Sequence, residues 1–379
     1  MSSEKTSYPS LVKLHQVCLN QHIPFASYRL PDQPEIITLV QHQSYPKKID
    51  VLNQPDQKSG FIMAPFFETT THATYLLEPD DVFISDQIAE DYIRELSLHA
   101  GLLFSGDLSA KSIITTNRED FIQQVNDARK AIAGGKFHKV VLSKVRNEMI
   151  PFDFDASAFF IQLCDKYPHA FVSLVQLPEV GCWIGATPEP LLVVEEGLIK
   201  TVSLAGTQLA TGNKIESYEW SNKEFEEQGI VTGFVEETLH TLGINHLKVQ
   251  GPENYQAANL IHLKTSFEFN EAELGNNFGA CLQALHPTPS VGGLPKEAAR
   301  QFILTNEKHD RAYYTGFLGP LNIQNKSHLF VNLRCLQLFN KQFVLYSGAG
   351  ITAASIAENE WEETENKMMT MMNAMKNNP

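Results

Sequence analysis

The sequence predicts an α+β fold built on large antiparallel sheets, and two features of its 379 residues carry that prediction. From Phe137 onward, apolar runs (K-V-V-L-S-K-V, F-V-S-L-V-Q-L, C-W-I-G-A, L-L-V-V-E, L-I-K-T-V-S-L) follow one another across turns mostly too short for a helical crossover. Such turns join antiparallel strands, because parallel neighbours need a dozen or more residues between them. Helices, in turn, come in blocks and not in strict βαβ alternation, which separates the pattern from the α/β class.

Taken in order, residues 1–112 are the least patterned. Short apolar runs (Ile36 to Val40, Phe61 to Phe66) alternate with Pro- and Asp-rich turns and end in a helix near Ile88 to Leu103. No motif with chemistry stands there, and the region reads as an N-terminal part of the same fold. The remainder, 113–379, opens on a helix from Arg118 to Ala133. Its Phe121, Ile122, Val125, Ala128 and Ile132 share one face, and Gly134-Gly135 stop it. After the strand block come a helix from Asn222 to Leu242, the strand I-H-L-K-T-S-F-E-F, and helices near Glu271 to Leu285 and Pro295 to Leu304. Three strands (Y-Y-T-G-F-L-G-P-L-N-I, H-L-F-V-N-L-R-C-L-Q-L, Q-F-V-L-Y-S-G) and a last helix close the chain.

A net charge of −14 argues against nucleic-acid and anionic-membrane partners. It is compatible with an anionic small molecule, since local cations reverse the field inside a site. No apolar run approaches the length of a membrane span, and the first residues are polar with no signal-peptide core. Five scattered cysteines with no C-x-x-C pair fit reduced, buried thiols in a cytoplasmic protein and offer no zinc site.

Chemistry concentrates at the C-terminal end. Gly348 and Gly350 follow a strand, and the helix beyond carries Glu360, Glu363 and Lys367 within roughly 60° of one another. Beside them runs an apolar stripe of Trp361, Met368, Met371, Met372 and Met375. The three charged residues are either a solvated acidic face or the edge of a cleft. Lys139 and Lys144 point to opposite faces of one strand, and each is a strand-edge residue or a base held in a dry pocket. Glu189, stiffened between Pro188 and Pro190, is a turn glutamate or a positioned general acid. Gly206 and Thr207 offer backbone N–H groups where a strand breaks, as an anion nest or a plain turn.

Glu227 shares a helix face with Val231 and Phe234, so its carboxylate needs a metal ion or a lysine as partner. His262 is a core histidine or a hydrogen-bond donor. The run Leu285 to Gly293 links two helices or shapes a pocket, and Glu307-x-x-x-Arg311-x-x-Tyr314 leads into a strand. Arg334, inside another apolar strand, lies at an edge or faces a carboxylate, for which a bidentate arginine is the natural partner.

From about residue 115 onward, K-V-V-L-S-K, G-A-T-P-E, L-A-G-T, H-L-K-T, H-P-T-P-S-V-G-G, E-x-x-x-R-x-x-Y-x-G-x-x-G, the strand arginine and G-A-G-I…E-x-E-W-x-E-T-x-x-K occur in the order seen in the chorismate-utilising enzymes. The sequence resembles the isochorismate synthases among them, of menaquinone or siderophore type. That resemblance implies two large antiparallel sheets packed as a sandwich with helices outside, the N-terminal region completing the same fold and 113–379 forming the chorismate-binding catalytic part. It implies Lys139 as the base that activates water toward ring carbon C2 and Glu189 as the acid that protonates the departing C4 hydroxyl. Glu227 and Glu363 would hold one Mg2+, with Glu360 and Lys367 supporting them. Arg334 and Tyr314, with backbone at Gly348 and Gly206, would hold the enolpyruvyl carboxylate, Thr207 lying beside them and His262 near the ring.

Water is the implied nucleophile, because Lys139 is present and Ala205 stands where amine-forming relatives carry a lysine inside L-A-G-T. No glutamine amidotransferase segment is found, so no such partner is expected. Salicylate synthases share the acid and base and then eliminate pyruvate, which makes them the alternative. The chain departs from the family pattern at Thr187, Ser203, Gln208, Gln228 and Ala357; of these, Gln208 and Gln228 bear on substrate contacts.

Overall fold

The computed structural model describes residues 8–51, 58–99, 115–212, 214–257, 260–275 and 277–375. Two nine-stranded sheets dominate it. The first runs β14 (Gly293–Leu294), β7 (Lys139–Met149), β18 (Gln342–Ile351), β17 (Cys335–Leu338), β9 (Gly181–Thr187), β8 (Phe171–Leu177), β1 (Phe25–Arg29), β2 (Ile36–Val40), β6 (Asp81–Ile84). The second runs β12 (Lys248–Ala257), β13 (Leu260–Asn270), β11 (Leu198–Leu209), β10 (Pro190–Glu195), β16 (Ser327–Val331), β15 (Phe317–Leu321), β4 (Gly60–Ala64), β5 (Tyr75–Leu77), β3 (Lys47–Lys48). Neighbouring strands pair antiparallel, as the short turns require.

The sheets face each other across one shared core. Tyr28, Phe171, Trp183 and Tyr346 of the first meet Phe61, Met63, Leu318 and Phe330 of the second. Phe171 and Phe330 stack with centroids 4.3 Å apart. Helices take the outer faces. α1 (Pro9–Gln21), α2 (Glu90–His99), α4 (Ala156–Lys166) and the C-terminal half of α9 (Ala357–Met375) cover the first sheet through Leu11, Leu14, Phe159, Phe160, Met368 and Met371. α3 (Arg118–Ala133) and α8 (Lys296–Asn306) cover the end of that sheet around Val140, Leu142 and Ala349. α5 (Asn222–Thr241), α6 (Glu271–Leu274) and α7 (Phe278–Leu285) cover the second sheet against Phe267 and Phe269. This is the expected sandwich with helices outside. The N-terminal strands are shared out: β1, β2 and β6 extend the first sheet from β8, and β3 to β5 extend the second from β15.

Four local expectations change. The expected strand from His328 to Leu338 divides into β16 and β17, one in each sheet, and Arg334 lies in the turn between them at φ +48, not inside a strand. The helix expected near Ile88 to Leu103 spans Glu90–His99, and 100–114 fall outside the described residues. The helix expected from Glu271 to Leu285 is two, because Gly275 adopts φ +57, a left-handed turn that ends the first. The expected strand from Tyr313 shortens to Phe317–Leu321, since Ala312 and Thr315 take positive φ and turn the chain. α4 is not among the expected helices. Asp155 caps it by accepting from Ser157 N and Ala158 N, and its Phe159, Phe160 and Leu163 side chains are completely buried. All five cysteines are buried free thiols. No helix of the described residues is long and apolar enough to cross a membrane.

Candidate active site

The site is built where β7 and β18 lie side by side and α5 and α9 reach over them. The ladder sets Gly348 opposite Ser143 and Gly350 opposite Val141. On β7, period-two alternation turns Lys139 and Val141 toward the other sheet and Lys144 toward the helices. Lys139 is fully buried, its Nζ 2.8 Å from Glu227 Oε1 of α5. Of the two partners left open for Glu227, this is the lysine. A Cβ at position 350 would overlap the Glu227 carboxylate and lie 3.0 Å from Lys139 Cε. A side chain there would have to displace the Glu227 carboxylate from its place beside Lys139. Burial works to raise the Glu227 carboxyl, but Lys139, Lys223 and Lys367 outweigh it and hold it below the usual range.

Lys144 has a different role. Its Nζ sits 3.2 Å from the centre of the Trp361 ring and pairs with Glu365, fastening α9 to the back of β7. The front of α9 then meets the cavity. Lys367 Nζ donates to Glu363 Oε1 at 2.6 Å and to the Gly348 carbonyl at 3.0 Å. Glu360 is only 1% exposed and accepts from Lys223 Nζ at 2.7 Å. A solvated acidic face is excluded by that burial. Burial, with Glu363 alongside, raises the Glu360 carboxyl to about 7 although Lys223 opposes the rise.

Glu189 stands opposite, between β9 and β10, its carbonyl accepting from Val331 N at 2.9 Å. It is 4% exposed, and burial lifts its carboxyl to about 7 against the pull of Lys139, Lys367, Arg334 and the Ser290 hydroxyl. At neutral pH such a group can give up a proton. His262 is held neutral by burial and by the neighbouring Arg334 and Lys367, its pKa lowered to about 3. Its Nδ1 lies 2.7 Å from the Gly206 carbonyl, so that nitrogen carries the hydrogen and Nε2 faces Arg334 at 3.5 Å. Tyr314 stacks on Tyr346 with centroids 5.2 Å apart, and burial pushes its hydroxyl pKa up, keeping it a donor. Gly206 takes φ +69 with Trp220 against it, and Arg334 takes φ +48 where β16 turns toward β17.

These residues converge on one cavity. Glu189, Gly206, Thr207, Glu227, His262 and Tyr314 line it, and so do Arg334, Gly348, Glu363 and Lys367. Lys139 and Glu360 sit just behind that lining, covered by Glu227 and Lys223 respectively. Sequence reasoning missed Ser290, Lys223 and Gly350 as parts of the site. Lys223 lies one helical turn before Glu227, which was the available signal; Ser290 had none beyond its stiff loop.

The departures from the family pattern move away from the substrate side. Gln228 Nε2 donates to Ser203 Oγ at 2.9 Å and Thr265 Oγ1 at 3.1 Å, so two of the unusual residues bond each other behind the lining. Gln208 Nε2 reaches the Glu219 carbonyl. Neither lines the cavity. Thr187 Oγ1 donates to Val331 O at 2.6 Å and steadies the turn that carries Glu189.

Residues 78–376 match the family model described as chorismate binding enzyme. The chain is 31% identical to isochorismate synthase EntC of Escherichia coli (strain K12) over 260 residues, 67% of this chain and 66% of that protein. The match thus spans about two thirds of that relative's length. It is 28% identical to the vibriobactin-specific isochorismate synthase of Vibrio cholerae over 274 residues, 70% of this chain and 69% of the relative. Among solved structures, MenF, the menaquinone-specific isochorismate synthase of Escherichia coli, superposes with a TM-score of 0.77 at 21% identity, covering 98% of this chain and 92% of that one. The last of these shows the same fold. By the extent of the family match, the chain belongs to the chorismate-binding enzymes.

Proposed function

We propose that the protein is an isochorismate synthase, converting chorismate to isochorismate by adding water at C2 and expelling the C4 hydroxyl. The observation that carries this reading is the pairing of Glu189, poised near pH 7, with a fully buried Lys139 at one cavity. Glu189 gives its proton to the departing hydroxyl. Lys139, in its neutral amine form, takes a proton from the attacking water. Arg334 and Tyr314 supply donors for a carboxylate of the substrate beside the Gly348 and Gly206 backbone. Ala205 lines the cavity where an amine-forming enzyme would place a lysine, which supports water as the nucleophile. The names of the matched relatives point the same way.

The reading includes one Mg2+, held by Glu227 and Glu363. Both carboxylates face the cavity from two different helices, and the second carboxylate oxygen of Glu360 behind them is buried without a hydrogen-bond partner. Oxygen donors of this kind suit a hard divalent cation, whose chemistry here is to neutralise and orient a substrate carboxylate. Lys139 and Lys367 hold the two side chains in place beforehand.

Incubation with chorismate and Mg2+, followed by chromatography, should show isochorismate and no pyruvate. Pyruvate in proportion to turnover would move the assignment to a salicylate synthase, and no product with metal present would end it. Glu363→Gln should weaken Mg2+ binding by calorimetry while the circular dichroism spectrum stays native; unchanged affinity would remove Glu363 from the metal site.

A further inference from the structure

The motif Glu307-x-x-x-Arg311 is conspicuous in the sequence, yet neither residue lines the cavity. Arg311 is 4% exposed. Its Nε and Nη2 donate to the two carboxylate oxygens of Glu307 at 2.8 and 2.5 Å. Nη2 also donates to the Val141 carbonyl at 2.7 Å, and Nη1 donates to the Val291 carbonyl at 2.9 Å. Glu307 Oε1 in turn accepts from the backbone N–H of Ser143 at 2.6 Å. The guanidinium carbon lies 4.3 Å from the centre of the Phe66 ring, which closes one face of the fork.

An ion pair that served burial alone would need only its two members. This one directs its remaining donors and acceptor to main chain on two different walls of the cavity. Val141 and Ser143 lie on β7, two and four residues after Lys139 and on its face. Val291 follows Ser290, which lines the cavity with Glu189 and whose hydroxyl donates to the Leu204 carbonyl at 2.9 Å. We infer that Arg311, braced by Glu307, is a positioning residue: a buried strut that sets the wall carrying the proposed base against the loop that lines the cavity with the proposed acid. This rests on the roles assigned above to Lys139 and Glu189. Arg311 touches no reacting atom and acts through the two walls. Lysine cannot replace it, because one ammonium does not reproduce a planar fork that spans a carboxylate and two carbonyls.

The test is kinetic and uses the full chain. Arg311→Lys should lower kcat for chorismate by about tenfold or more, through misplacement of the acid and base, with KM changed far less. The groups facing Glu189 are Lys139 from β7, Lys367 from α9, Arg334 between β16 and β17, and Ser290 from the loop. Only Ser290 hangs on the strut through Val291, and the presence of its hydroxyl favours the ionised carboxylate. Its loosening should move the alkaline limb of the pH–rate profile to higher pH, and Ser290→Ala should move it the same way. A merely structural role would lower the melting temperature and the active fraction without moving that limb. Should Arg311→Lys fail to fold, Glu307→Gln, which keeps the shape and an acceptor for Ser143, is expected to show the same fall in kcat and the same shift. An active wild type whose folded variants keep the normal limb and the normal kcat per folded molecule would overturn the strut alone. A wild type inert toward chorismate would overturn the proposed function, and the strut with it.

Discussion

Glu189 shows how one residue's surroundings keep an ordinary carboxyl protonated close to neutral pH. Two prolines hold its turn stiff, burial raises its pKa to about 7, and three cations keep the rise from going further. The sign of the pH effect follows. The acid form is lost as pH climbs through about 7, so kcat should fall on the alkaline side of neutrality. Glu189→Gln should lower kcat by roughly 10²–10⁴-fold and abolish that limb; a near-normal rate would move the acid role elsewhere. Stability should change in the opposite sense. A carboxyl raised in the folded state has no stability cost below its unfolded pKa of about 4 and a growing cost as pH rises toward 7. The glutamine variant should therefore equal wild type in acid and exceed it above pH 7, by up to about 3 kcal/mol in urea denaturation.

At the scale of elements, α9 is a helix with two fastenings. Its apolar stripe, Met368, Met371 and Met375, is buried against the outer face of the first sheet. Lys144 then pins its first turns through Trp361 and Glu365, and this is what keeps Glu360, Glu363 and Lys367 over the cavity. Lys144→Met removes the cation but keeps the bulk. It should cost about 1–2 kcal/mol of stability and weaken Mg2+ binding without touching a cavity residue. A variant with wild-type stability and metal affinity would show that the methionine stripe alone holds the helix. β7 complements α9 from the sheet side. That one strand presents Lys139 to the cavity and Lys144 to the helix, because successive side chains alternate.

At the scale of the molecule, the N-terminal region is part of both sheets and not an appendage. Leu11, Leu14, Phe25 and Leu39 are fully buried, and β1 pairs along the whole of its length with β8. Arg29 donates to the carbonyls of Tyr167, Pro168 and Ala170, tying this region to the loop before β8. Deleting residues 1–57 would strip β8 of its neighbour and expose a long apolar edge. The truncated chain should aggregate in size-exclusion chromatography; a monodisperse, active product would refute this. The same scale explains how a chain of net charge −14 can still present a cationic cavity. Lys139, Lys223, Lys367 and Arg334 are gathered at one cavity, where the local field and not the total charge decides.

Much of this was legible in the residues themselves. Short turns between apolar runs determined antiparallel pairing, 3.6-residue spacing determined α3, α5 and α9, and ordered motifs determined the family. A carboxylate on the apolar face of α5 announced that it needed a partner. What the chain could not announce was which partner, since Lys139 and Glu227 are 88 positions apart and meet only when α5 folds over the sheet edge. Nor could spacing decide whether Glu360 and Glu363 face water or a cavity, because helical period orders side chains around an axis and is silent about what packs against each side. Burial, and with it the pKa of Glu189, the closeness of Gly350 to Glu227 and the reach of Arg311 to two walls, arises only from packing between distant segments. Those were decided by the tertiary structure alone.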